Sequence, residues 1–153
     1  MNTSVHVTSI AQVIQLAVAP VFLLAGIGAT LNVLATRIAR IIDRARYMEE
    51  RLPHATRETA DELQRNLKRL AQRAGLINRA IALCVLSGLL VSLVVATLFV
   101  SSALGIELAM PIAVTFVVAL LSLAAALVCF LREVFIATAA LTFGGVRKPP
   151  PRA

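Results

Sequence analysis

Three stretches of this chain lack charged side chains, and each is long enough to cross a lipid bilayer as a helix. They are residues 1–36, 80–106 and 108–131, with no Lys, Arg, Asp or Glu in any of them. A membrane-spanning helix needs about 20 mostly apolar residues. Only 15% of the chain is charged and its mean hydropathy is +0.86, whereas a soluble domain is about 25% charged. The sequence therefore predicts an all-α integral membrane protein with three transmembrane helices.

The basic residues predict how the chain is oriented. Eleven of the fifteen lie in residues 37–79, and the other four follow residue 131. The N-terminal arm has none, and only Glu107 separates the second apolar stretch from the third. Because basic residues collect on the cytoplasmic side, we expect the N-terminus outside and residues 37–79 and 132–153 in the cytoplasm. Acidic residues are mixed with these arginines and no nucleic-acid-binding motif accompanies them, so we expect no nucleic-acid partner.

Residues 37–79 have the pattern of a helical hairpin. Apolar residues recur at spacings of three and four in two runs, on either side of a turn signal at Pro53. The runs are Ile38, Ile41, Ala45, Met48 and Leu52, then Leu63, Leu67, Leu70, Ala74, Ile77 and Ile81. Two such runs joined by a short turn predict a cytoplasmic antiparallel helical hairpin between spans one and two.

Local signals predict where the helices begin and end. Ser9 opens a capping-box pattern and predicts the start of the first helix, while Thr56 or Thr59 caps the second. Gly105 predicts the end of the second helix, and Pro111 suits the first turn of the third. Residues 134–143 are apolar but too short to span a bilayer. We expect them to form an interfacial helix or to pack on the hairpin base, within a cytoplasmic interfacial segment and basic tail at 132–153.

Several segments are similar to those of a known family. They are VIQLAVAPVFLL at 13–24, GIG at 26–28, LNVL at 31–34, RIARIIDR at 37–44, LINRA at 76–80 and FLREVF at 130–135. Over about residues 8–140 the chain resembles the small bacterial membrane proteins grouped as domain of unknown function 2721. The resemblance implies a three-span protein of the bacterial inner membrane, and no activity comes with it.

The first predicted span carries a stripe of polar and small residues at helical spacing. Its candidate functional members are Gln12, Gln15, Gly26, Ala29, Asn32 and Thr36. Such a stripe is typical of close packing between membrane helices, where small residues let backbones approach and amides bond across the interface. The alternative is that the stripe lines a water-filled pore in a homo-oligomer, with its amides as polar rings.

A second set of candidates lies where the apolar stretches end on the cytoplasmic side. This predicted collar consists of Arg37, Arg40, Asp43, Arg44, Arg132 and Glu133. Its members are either solvated side chains that reach out to water or an ion-paired ring. In the ring, Glu133 bonds one of the first-helix arginines and Arg132 meets Asp43. A further alternative is that the arginines bind anionic lipid headgroups.

Signals of an enzyme are sparse. His6 and His54 are far apart, and the spans contain no acid, Lys or Arg to form a proton relay. Cys84 and Cys129 have no metal-ligand spacing and suit apolar packing, so we expect no metal site and no cofactor. Two functions remain. One is a homo-oligomeric ion or small-solute pore lined by helix one. The other is a membrane-anchored scaffold or assembly factor whose hairpin captures a cytoplasmic protein partner.

Overall fold

Three long helices make up the part of the chain that the structure describes. The structure is a computed structural model that describes the backbone of residues 3–142 and the side chains of residues 14–138. The helices are α1 (Thr3–Arg51), α2 (Arg57–Leu104) and α3 (Ala109–Thr142). At about 1.5 Å per residue, α1 and α2 are each roughly 70 Å long, against a hydrocarbon core of about 30 Å. All three are long and apolar enough to cross a membrane, which confirms the predicted class and the three spans.

The second helix holds the bundle together. α2 lies between α1 and α3 and packs along both, whereas α1 and α3 contact each other little. The most buried apolar side chains of this core are Ile27, Leu34 and Ile41 on α1, Leu70, Ile77, Ala80, Cys84 and Val91 on α2, and Ala119 and Ala126 on α3. The two heptad runs are buried or half-buried along their whole length. Most residues of those runs therefore pack against other helices of the same chain.

Short connections set the antiparallel order of the helices. A single 3-10 turn (Leu52–His54) joins α1 to α2, and Thr56 is the N-cap residue of α2. At the other end, Gly105 has φ +68°, a left-handed conformation that costs glycine least. The N–H groups of Gly105 and Ile106 both donate to the Ser101 carbonyl, at 2.9 and 3.2 Å. α2 therefore ends at Leu104, directly before Gly105, as the sequence predicted.

Two predicted boundaries differ from the observed ones. α1 begins at Thr3 rather than at Ser9, because no proline or glycine in the preceding residues interrupts the helix. The expected interfacial helix at 134–143 is not separate, since α3 continues unbroken to Thr142. Residues 112–143 contain no glycine or proline, so Arg132 and Glu133 are simply carried on the same helix. The predicted basic tail after residue 142 and the side chain of Gln12 lie outside the described residues.

Candidate functional site

The carboxyl group of Glu133 is fully buried on α3. Glu133 continues the face of α3 that carries Ala119, Ser122 and Ala126, at spacings of three, four and seven residues. Those spacings keep side chains on one side of a helix, and this side is buried. A buried carboxylate is costly unless it is paired with charge and hydrogen-bonded. The partners of Glu133 therefore determine whether this position is stable.

Two arginines from two other helices satisfy this carboxylate. Arg73 on α2 donates from Nε and Nη2 to Glu133 Oε1, at 3.1 and 2.7 Å. Arg37 on α1 donates from Nη1 to Glu133 Oε2 at 2.6 Å. The Arg37 guanidinium also lies 5.0 Å from the ring centroid of Phe130, one turn before Glu133. We call Glu133, Arg37 and Arg73 the carboxylate clamp, because one side chain of α3 joins both other helices.

A cavity of about 400 Å³ lies beside the carboxylate clamp. Four arginines line it together with Glu133, and its apolar lining includes Ile41, Leu70 and Val134. The arginines are Arg37, Arg40, Arg44 and Arg73. Its volume falls in the range of roughly 300–1,000 Å³ that small-molecule sites occupy. With four guanidinium groups against one carboxylate, the lining has a surplus of positive charge.

The structure brings together only part of the predicted collar. Arg37 and Glu133 are bonded to each other, and Arg40 and Arg44 line the cavity beside them. Asp43 and Arg132, which we expected to pair, are both exposed. Among the residues with described side chains, no ion pair joins those two. The observed arrangement is therefore a buried clamp with an adjoining basic cavity, and it does not include the Asp43–Arg132 pair of the expected ring.

Sequence reasoning missed Arg73, although a signal for it was present. Arg73 lies three residues after Leu70 and four before Ile77, and both of these are buried. Residues at such spacings share a helix face, so Arg73 borders the side of α2 that packs inward. Its long side chain then reaches the carboxyl group from the edge of that face. A charged residue beside a heptad run in a membrane protein was the available clue.

The predicted stripe of α1 faces away from the other two helices. The side chains of Gln15, Gly26, Ala29, Asn32 and Thr36 are all exposed in the single chain. α1 instead packs through the opposite face, which carries Ile27 and Leu34. Thr36 donates to the Asn32 carbonyl at 2.9 Å within its own helix. Within the described residues, no hydrogen bond uses the side-chain amide of Gln15 or Asn32. The stripe is therefore open to lipid or to another molecule.

Small residues let α2 approach both neighbours. Ser87 donates to the Ala119 carbonyl at 2.8 Å, and Ser122 donates back to the Leu83 carbonyl at 3.0 Å. These two bonds join α2 and α3 in the apolar part of the bundle. On the other side of α2, a Cβ placed on Gly88 would lie 3.7 Å from Ile27 on α1, in ordinary van der Waals contact. The small residues of α2 and α3 therefore serve packing within the chain.

This arrangement can bind charged groups through ion pairs and hydrogen bonds. Both oxygens of Glu133 already accept arginine N–H groups, so the carboxylate is held as a structural partner of the two guanidinium groups. Across the described residues, His, Cys, Asp and Glu side chains nowhere gather in threes as a metal site would require. The cavity beside the clamp offers positive charge and N–H donors, which suit an anion.

These features define the chain as a small helical membrane protein, and in this chain a buried carboxylate joins the three long helices. Within that class, the chain belongs to the family described as Protein of unknown function (DUF2721), whose model matches residues 17–143. The match covers most of the chain and confirms the resemblance seen in its segments. No curated protein and no solved structure matches the chain.

Proposed function

We propose that this protein is a homo-oligomeric, non-enzymatic membrane protein in which α1 lines an ion or small-solute pathway. We place it in the bacterial inner membrane with its N-terminus outside and the α1–α2 hairpin in the cytoplasm. The observation that carries the proposal is the outward-facing stripe of α1. Gln15 and Asn32 are exposed and their amides bond no other described residue.

A lipid-facing position is costly for such side chains. No water is available in the bilayer core to satisfy amide groups, and each unsatisfied polar group costs several kcal/mol there. Contact with other subunits or with water in a pathway removes that cost. A stripe of small residues, including Gly26 and Ala29, additionally leaves room along the helix. Together these points favour an assembly in which several α1 helices face a common axis.

The proposal is tested by the water accessibility of single cysteines in the apolar parts of α1 and α2. Ala29→Cys lies on the stripe. The control is Leu89→Cys on α2, whose neighbour Gly88 would place a Cβ 3.7 Å from Ile27, so that the two cysteines lie at a similar depth. Both positions are exposed in the single chain. In a background without Cys84 and Cys129, a charged, membrane-impermeant thiosulfonate should modify Ala29→Cys much faster than Leu89→Cys, because the reagent reacts with a water-accessible thiolate.

Two other outcomes would contradict the pathway. If both cysteines are equally protected from the reagent, the stripe lies in lipid or in a contact without water. If the protein in nanodiscs has the mass of a monomer, a ring of α1 helices is excluded. Native mass spectrometry of the intact protein in nanodiscs gives the subunit number independently of the labelling. Conductance of the reconstituted protein then shows whether an accessible stripe carries ions.

A scaffold role is the second candidate, and the exposed charge of the hairpin favours it. Glu49, Glu50 and Arg51 at the end of α1 are exposed, and so is Arg57 at the start of α2. The heptad runs are buried within the hairpin, so a partner would have to bind this polar surface. Replacing the exposed charges of the hairpin with other polar residues should then remove a co-purifying protein. Retention of every co-purifying protein would count against this role.

A further inference from the structure

The basic cavity beside the carboxylate clamp has more positive charge than its own carboxylate can balance. Arg37 and Arg73 are engaged with Glu133. Arg40 and Arg44 also line the cavity, and no carboxylate pairs with them among the described residues. They are four residues apart on α1, so their Cβ atoms are about 5–6 Å apart on one face of the helix. Two guanidinium groups therefore border the same space without a counter-ion among the described residues.

The cavity is located where the apolar spans end. Arg37 directly follows the charge-free residues 1–36, and Glu133 is the second residue after the charge-free stretch 108–131. Its lining combines the arginines with apolar side chains, such as Ile41 and Leu70. A polar headgroup attached to an apolar tail meets the same change of environment at this depth of a bilayer.

We propose that this cavity binds a phosphate group through Arg40 and Arg44, carried by a phospholipid headgroup or by a free phosphate ester. Arginine binds phosphate well, because its planar fork of N–H donors matches two phosphate oxygens at once. A cavity of about 400 Å³ has room for a phosphate with its glycerol. Of the two sources, the position at the end of the spans favours the lipid.

The carboxylate clamp gives this site its shape. Glu133 holds Arg37 and Arg73 in ion pairs, at N–O distances of 2.6 and 2.7 Å, and all three line the cavity. Arg40 and Arg44 on α1 also line the cavity, and both are exposed. The site therefore has two arginines that are held by Glu133 and two that are accessible to a ligand. This inference concerns the clamp end of the bundle and does not rest on the pathway proposed for α1.

The test is phospholipid binding by the full chain in detergent, measured by native mass spectrometry. Phosphatidylglycerol and phosphatidylcholine are titrated against the wild type and against an Arg40→Gln/Arg44→Gln variant. The matched control is Arg46→Gln/Arg79→Gln, which removes the same charge from two exposed arginines that do not line the cavity. Glycerol 3-phosphate, measured in the same way, is the probe for a soluble ligand.

The expected result is a selective loss in the cavity variant. Each arginine that bonds a phosphate contributes at least tenfold in affinity, so phosphatidylglycerol binding should fall roughly 100-fold. The control variant should change by less than about threefold, because it loses charge but no phosphate contact. Thermal unfolding of both variants should match the wild type, since these arginines make no hydrogen bond to other described side chains.

The two probes distinguish the source of the phosphate. Loss of phosphatidylglycerol binding without measurable binding of glycerol 3-phosphate identifies a lipid site. Binding of glycerol 3-phosphate that the cavity variant loses, and that displaces the lipid, identifies a soluble phosphate ester. Equal losses in the cavity and control variants would overturn the proposal. Failure of the wild type to bind either probe would do so as well.

Discussion

Glu133→Gln should destabilise the bundle, and the structure gives the size of the effect. The substitution keeps the side-chain volume but removes the charge and places an NH₂ group before two guanidinium donors. Three N–H···O bonds reach the carboxylate, and bonds to charged groups contribute about 2 kcal/mol each, or about 6 kcal/mol in total. The side chains of Arg37 and Arg73 are 38% and 26% exposed, so both regain water when the bonds are lost. Because water replaces part of what the arginines lose, we halve the total and expect the free energy of unfolding to fall by about 3 kcal/mol.

Reversible unfolding with SDS in mixed micelles, followed by circular dichroism, measures this loss. About 3 kcal/mol changes the unfolding equilibrium constant more than 100-fold, which is readily measured. Arg73→Gln should also destabilise the protein, because it leaves the buried carboxylate with one partner. The matched control is Arg69→Gln, an exposed arginine one turn earlier on α2. Its effect on the free energy of unfolding should be within about 0.5 kcal/mol of zero.

The double variants decide whether the clamp acts as a unit. Glu133→Gln combined with Arg73→Gln should lose at least about 1 kcal/mol less than the two single losses together, because both remove the same bonds. Glu133→Gln combined with Arg69→Gln should be additive within about 0.5 kcal/mol. Additivity of Glu133→Gln with Arg73→Gln, or a loss below about 1 kcal/mol for Glu133→Gln alone, would refute the reasoning.

Two smaller effects follow from the packing of α2 and from its end. Ser87→Ala and Ser122→Ala each remove a hydrogen bond between membrane helices, so the double variant should lose roughly 1–2 kcal/mol in the same SDS titration. Unchanged stability of that variant would contradict this expectation. It would mean that, in the unfolded wild type, both serines form equally good hydrogen bonds within their own helices. Gly105→Ala should cost about 1 kcal/mol because φ is +68°, and Gly105→Asn should cost less, since asparagine tolerates this conformation better. Equal losses for Ala and Asn would contradict the conformational explanation.

The helix ends show where local signals suffice and where they do not. Gly105 ends α2 through its own backbone conformation, and that property is readable from the residue type. The prediction that the first helix starts at Ser9 was wrong, because α1 begins at Thr3. A capping side chain stabilises a helix N-terminus but does not prevent the helix from starting earlier. The same limit applies at Arg132 and Glu133. Charged residues mark a change of environment but do not stop a helix, so α3 continues through them.

The stripe of α1 shows the limit of periodicity. Helical spacing reveals that Gly26, Ala29 and Thr36 share a face, but it does not reveal whether that face points inward. The opposite face of α1 carries Ile27 and Leu34, and it is this larger apolar face that docks on α2. Burial of bulky apolar side chains against α2 therefore left the small and polar face outside. The members of the stripe with described side chains are therefore exposed in the single chain.

The sequence by itself determined the class of this protein, its three spans and the periodic faces of its helices. Each of these follows from properties of single residues or of neighbours along the chain, namely charge, hydropathy and helical spacing. Only the tertiary structure decided that Glu133 is buried and that Arg37 and Arg73 bind it. Arg37, Arg40 and Arg44 recur at helical spacing and appear equivalent in the sequence, and Arg73 is 60 residues away from Glu133. Which of them reaches the carboxyl group depends on how α1 and α3 are positioned along α2, and packing across the whole bundle sets that alignment.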